Sequence, residues 1–225
     1  MVTFAKIKHF DDPEFEKWRK KLEQYHNIER NMSFDWCRQW EYSWIMKNSE
    51  FQKTDRVADA GGGYCYFPCI VSEYVKEVVV IDKNIKSLNH CFTFIPKLYV
   101  ASLEDLKITE EFDKVICISV LEHIEEWRKA LKNIINILKN KGILYLTMNV
   151  DFDNKRNICY DDVSEVLEIL RKNNINLGEI DLSTDDIFTK NELTKRKIVL
   201  PELETVNELN YGVLGIIAKK DEKTN

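Results

Sequence analysis

The chain has 225 residues, 44% hydrophobic and 32% charged, with a formal net charge of −5. That length suits one domain with an elaboration and is enough to bury a full core. No apolar run approaches the ~18 residues of a membrane span, and the acidic balance argues against a broad nucleic-acid footprint, leaving room only for a local basic patch. The six cysteines (37, 65, 69, 91, 117, 159) form no CxxC pair, and the four histidines (9, 26, 90, 123) do not cluster with Cys65 and Cys69. Reduced thiols and no structural metal are therefore expected. The N-terminal MVTFAKIKHF lacks the apolar core and cleavage site of a secretory signal, so the expected location is cytoplasmic.

The first fifty residues read as helical. Asp12 caps a helix with Pro13 at its first position, and Phe15, Trp18, Leu22 and Tyr25 share one face. A second helix is predicted from Ser33, with Trp36, Trp40 and Trp44 recurring every four residues. Residues 1–52 are thus predicted to be an N-terminal helical cap on a domain spanning 53–225.

From Arg56 short β-branched runs alternate with amphipathic helices. RVADA precedes Phe67, Ile70, Val71 and Tyr74; EVVVID precedes Ile85, Leu88 and Phe92; KLYVAS follows; FDKVICIS precedes Trp127, Leu131, Ile134, Ile135 and Leu138. Continuous apolar strands between helices imply a parallel sheet covered on both faces. KGILYLTM, a helix through Val163, Val166, Leu167 and Leu170, a strand near Gly178 to Leu182, and YGVLGIIAKK complete the pattern. Residues 184–210 are charged and weakly patterned, far longer than a hairpin loop. Two readings stand for them, a lid on the substrate side and a disordered or merely solvated loop.

The chemistry concentrates in VADAGGGYCYF, residues 57–67, where a buried strand runs into glycines that open a helix. A dinucleotide fingerprint starting at Gly61 requires glycines at 63 and 66, and position 66 is tyrosine. Asp59 at the strand end suits a cationic ligand better than a pyrophosphate. The segment resembles the first motif of class I S-adenosylmethionine-dependent methyltransferases, acidic-x-Gly-x-Gly-x-Gly, met by Asp59, Gly61 and Gly63, with Cys65 replacing the third glycine. The resemblance covers residues 55–150.

It implies an α/β, Rossmann-like sheet of seven mostly parallel strands with the last antiparallel, and S-adenosylmethionine as cofactor. It also assigns roles. Asp82, 21 residues after Gly61, would bind the ribose hydroxyls, with Lys83 beside the adenine; a helix N-cap is the other use of Asp82. Ser102 stands where relatives often place an acid facing the adenine amino group, and Leu103 offers its amide. In FDKVICISVLEHIEEW, Ser119 would face the cofactor, and the Leu121 to His123 triplet is frequent in members acting on small molecules, sugars or lipids. His123 is a candidate general base, or else a packing or capping residue. RQWEYSW, residues 38–44, looks like a segment in which Arg38 or Tyr42 closes over the cofactor's methionine end; the other reading makes its aromatics core.

The expected activity is methyl transfer to a small-molecule, sugar or lipid-precursor acceptor. RNA or protein acceptors, a non-catalytic interaction module and a nicotinamide-dependent dehydrogenase remain the alternatives.

Overall fold

A computed structural model describes residues 1–28, 36–63, 65–84, 97–153, 157–188 and 211–222. Its strands are β1 (Val2–Phe4), β2 (Arg56–Ala60), β3 (Glu77–Asp82), β4 (Lys97–Val100), β5 (Phe112–Ile118), β6 (Leu138–Asp151), β7 (Ile175–Asn176), β8 (Ile180–Asp181) and β9 (Tyr211–Lys220). The helices are α1 (Pro13–Ile28), α2 (Trp36–Asn48), α3 (Phe67–Ser72), α4 (Trp127–Asn136) and α5 (Asp162–Lys172).

One sheet runs β4-β3-β2-β5-β6-β9-β1-β8, with β7 paired to β9. The run from β4 to β6 is parallel, and β9 returns antiparallel along β6. The fold is therefore α/β and Rossmann-like, with the last strand antiparallel. Among the described residues nine strands stand where seven were expected, for two reasons. The region near Gly178 forms two short strands instead of one. The N-terminus, expected to be wholly helical, begins with β1, which lies between β9 and β8. All three residues of β1 are buried, so it lacks the alternation by which a half-exposed strand is recognised.

Helices cover both faces. Trp127, Leu131 and Ile134 of α4 and Val166, Leu167 and Leu170 of α5 pack on one side with Ala58, Val115 and Leu146. On the other side Phe15 and Leu22 of α1 and Trp40 and Tyr42 of α2 pack with Phe67, Ile70, Ile116 and Tyr145. The α1 cap forms as the sequence requires, since Asp12 Oδ1 accepts the Glu14 and Phe15 amides at 3.0 Å each. Trp40 and Trp44 stack at 4.9 Å and lie directly over Gly215 of β9, where a Cβ would come within 2.8 Å of both rings. Only glycine lets the indoles reach the sheet there. The N-terminal helices and this face of the sheet thus share one core.

The expected start of the second helix at Ser33, the helix through Ile85, Leu88 and Phe92, and residues 189–210 of the long insertion lie outside the described residues. Of that insertion, Phe188 is buried and its amide bonds to the Ala5 carbonyl at 2.8 Å. No helix among the described residues is long and apolar enough to cross a membrane.

Candidate cofactor cleft

The carboxyl ends of β2, β3 and β5 open onto one cleft. After Ala60 the chain turns at Gly61, with φ +87° and its amide on the Ile81 carbonyl at 2.7 Å. A Cβ on Gly61 would lie 2.5 Å from a Val120 methyl group, so both the backbone angle and the approach of the β5 loop demand glycine. The Gly63 amide donates to Asp82 Oδ2 at 3.1 Å, and Oδ1 of the same carboxylate accepts the Asn84 amide at 2.7 Å. Asp82 therefore ties the glycine turn to the end of β3. The second hydrogen bond is a local turn contact; the helix expected after Asp82 lies outside the described residues.

Two adjoining cavities share Gly61, Asp82 and Ser119. The first, about 220 Å³, is also lined by Arg38, Tyr42, Asp59, Gly63 and Cys65. The second, about 180 Å³, is also lined by Lys83, Ser102, Leu103, Val120 and His123. Every site residue expected from sequence thus borders one cavity or the other. His123 stands with Lys83 and Ser102, in the cavity that Arg38 and Asp59 do not line.

The first cavity is electrostatically tense. Asp59 is only 2% exposed; burial, and then the neighbouring Asp82 charge, push its carboxyl up to about 7, with Arg38 opposing. The Cys65 thiol donates towards Asp59 Oδ2 at 4.0 Å and is itself pushed up to about 12, by burial and then by Asp59. Cys65 is therefore a small neutral wall here and not a thiolate nucleophile. Tyr42 stacks on Phe67 at 4.5 Å and meets Tyr66 edge-on at 5.7 Å. Its ring belongs to the core while the residue also borders the first cavity.

Beneath the cleft lies a polar cluster that sequence reasoning missed. Glu41 of α2 is fully buried. Its Oε1 accepts from Ser119 Oγ at 2.5 Å and Thr147 Oγ1 at 2.6 Å, and its Oε2 accepts from Arg38 Nη1 at 2.7 Å. Ser119 has φ +48°, uncommon for a non-glycine residue, and its amide bonds to the Thr147 carbonyl at 3.0 Å. Next to it, Asn149 donates through Nδ2 to Glu122 Oε1 at 2.8 Å. Burial pushes the Glu122 carboxyl up to about 7. The one available signal for Glu41 was its i,i+3 spacing from Arg38, which places acid and base on one helix face.

A profile of methyltransferase domains matches residues 58–146, the span from β2 to β6 that carries the glycine turn, Asp82 and Ser119. Residues 58–146 thus match a methyltransferase domain, in keeping with the resemblance to class I S-adenosylmethionine-dependent methyltransferases. An S-adenosylmethionine-dependent methyltransferase from Mesorhizobium loti superposes on the fold with a TM-score of 0.60 at 14% identity, covering 84% of this chain and 100% of that one. The N-methyltransferase NodS from Bradyrhizobium japonicum, solved with S-adenosyl-L-homocysteine, gives 0.51 at 15% identity, covering 95% and 91%. An uncharacterized protein of Methanocaldococcus jannaschii is 32% identical over 123 residues, 54% of this chain and 53% of that protein. The chain therefore spans about half the length of the curated relative it matches. Among the described residues, no group of three His, Cys, Asp or Glu side chains is placed to hold a metal ion.

Proposed function

We propose that the chain transfers the methyl group of S-adenosylmethionine to a small-molecule, sugar or lipid-precursor acceptor. The observation that carries this is the distribution of charge along the joined cavities: a guanidinium and a buried carboxylate in one, Arg38 and Asp59, and a ribose-type carboxylate, Asp82, at the junction. That donor set fits the cofactor. Arg38 would hold its carboxylate, Asp59 its cationic amino-acid end, Asp82 the ribose hydroxyls, and Leu103, Ser102 and Lys83 the adenine. When bound, the cofactor supplies an already activated methyl group, so the protein's task is to align the acceptor and exclude water.

Several features support this choice over the alternatives. Tyr66 occupies the place where a dinucleotide turn needs glycine, and its ring is buried in the core, which disfavours a nicotinamide cofactor. The cationic side chains lining the two cavities are Arg38 and Lys83, set among Asp59, Asp82 and Glu104. That is not the basic groove a polynucleotide acceptor calls for. Residues 1–52 serve in this proposal as the closure over the first cavity, through Arg38 and Tyr42. The remainder, 53–225, is in this proposal the methyltransferase domain.

The test is to incubate the protein and a heat-inactivated cell extract that retains its small molecules with methyl-labelled S-adenosylmethionine, and then separate small molecules, lipids, glycans, RNA and proteins against a control without the protein. Label in one of the first three classes is expected. Label in RNA or protein would overturn the acceptor class, and cofactor binding without label in any fraction would favour the interaction module.

A further inference from the structure

A carboxylate removed from water costs several kcal/mol unless its lone pairs are met. Glu41, with no exposed surface, is met by three donors from three separate elements. Thr147 Oγ1 comes from β6, Ser119 Oγ from the loop after β5, and Arg38 Nη1 from one turn back on α2. Two of these donors, Arg38 and Ser119, line the first cavity. The Arg38 side chain is 23% exposed and its guanidinium lies 5.9 Å from the Tyr42 ring centroid. It is a long side chain with many rotamers, fixed on the cavity side through Nη1 by Glu41 and by the Ile118 carbonyl at 3.4 Å. The same carboxylate oxygen that receives Thr147 also receives Ser119, whose left-handed backbone needs an external tie to persist.

We propose that Glu41 is a positioning residue: it holds the Arg38 guanidinium where the carboxylate of the cofactor's amino-acid end is received, and fixes Ser119 opposite it. This rests on the cofactor assignment above. Glu41 touches no ligand itself; it orients the group that does. A planar fork bound to one carboxylate is oriented for a second, because the guanidinium plane is set before the ligand arrives and less side-chain freedom is lost on binding. Without Glu41, Arg38 keeps its charge but loses that orientation. The loss should therefore fall on ligands with a carboxylate and spare those without one.

The experiment compares two ligands by calorimetry, S-adenosylhomocysteine and its decarboxylated analogue, which keeps the nucleoside, the sulfur and the amine. The wild-type protein should prefer S-adenosylhomocysteine at least tenfold. In Glu41→Gln that preference should fall to within threefold, while affinity for the decarboxylated analogue stays within threefold of wild type. Glu41→Asp, which keeps the charge but draws it back by one methylene, should lose most of the same preference and serves as the second variant should the first not fold. Equal weakening of both ligands, or a preference retained by the folded variant, would overturn the positioning role. Failure of the wild-type protein to bind S-adenosylhomocysteine would instead overturn the cofactor assignment.

Discussion

At the Arg38 end of the cleft the polar groups are buried and bonded to one another across the fold, whereas at the Lys83 end they are half-buried or exposed and mostly engaged by their own sequence neighbours. Asp59, Glu41 and Ser119 are almost wholly enclosed. Lys83 and His123 are exposed, Asp82 accepts the amide two residues on, and the Ser102 hydroxyl bonds to Glu104. The first end is assembled from residues 38, 41, 59, 119 and 147 on four separate elements or loops, so its geometry exists only once the sheet and α2 have packed. The second is built from turns at strand ends, where local backbone chemistry sets the side chain. One end should therefore be sensitive to folding and pH, the other to the loss of single contacts.

The largest effect should come where both ends meet. Gly61→Ala forces a side chain into a left-handed backbone and against Val120, which should cost about 2 to 5 kcal/mol of stability, summing backbone strain and overpacking. Denaturant unfolding measures it, and an unchanged midpoint would mean that the β5 loop yields. Next, Asp82→Ala removes a charged acceptor from the ribose site and should weaken cofactor binding by about 1.5 to 3 kcal/mol. Because Asp82 also holds the Gly63 amide, the unfolding midpoint must be measured beside the affinity; full affinity in a folded variant would move the ribose site elsewhere.

The two ends should also separate by pH. Folding raises Asp59 from 3.8 to about 7 through burial and the Asp82 charge, against Arg38, and raises Glu122 from 4.5 to about 7 through burial, with Glu41 adding and Arg38 opposing. Both groups hold a proton in the folded state that the unfolded chain has released. The stability these two groups contribute to the ligand-free protein should therefore be fullest below about pH 4 and fall as pH rises towards 7, levelling above it, and Asp59→Asn with Glu122→Gln should flatten that part of the profile. A cationic ligand favours ionised Asp59, so S-adenosylmethionine affinity should rise roughly tenfold between pH 6 and 8, as for one proton released near pH 7. A flat affinity profile would remove Asp59 from the cationic site. The smallest effect belongs to Tyr42→Phe, which keeps the ring stacked on Phe67 and should cost up to about 1 kcal/mol of cofactor affinity with the melting temperature nearly unchanged. A variant that loses only stability would leave Tyr42 a core residue.

The same contrast explains what could be read before the fold was known. Apart from the exposed edge strand β4, the strands from Arg56 to Thr147 show as apolar runs because they are covered on both faces, and the turns after them carry Gly61, Asp82 and Ser102 at spacings set by one strand and one helix. β1 was not legible, because three buried residues carry no period. Glu41 was not legible as a hub either: an acid among aromatics reads as the polar edge of an amphipathic helix until Ser119 and Thr147, 78 and 106 residues away, are brought against it.

In the proposed function the glycine turn, Asp59 and Asp82 form a site for an adenosylated amino acid and not for a dinucleotide. Calorimetric titration of the purified full chain with S-adenosylhomocysteine and, separately, with NAD tests it most directly. Saturable binding of S-adenosylhomocysteine with no heat from NAD is the predicted result; saturable NAD binding without S-adenosylhomocysteine binding would contradict it.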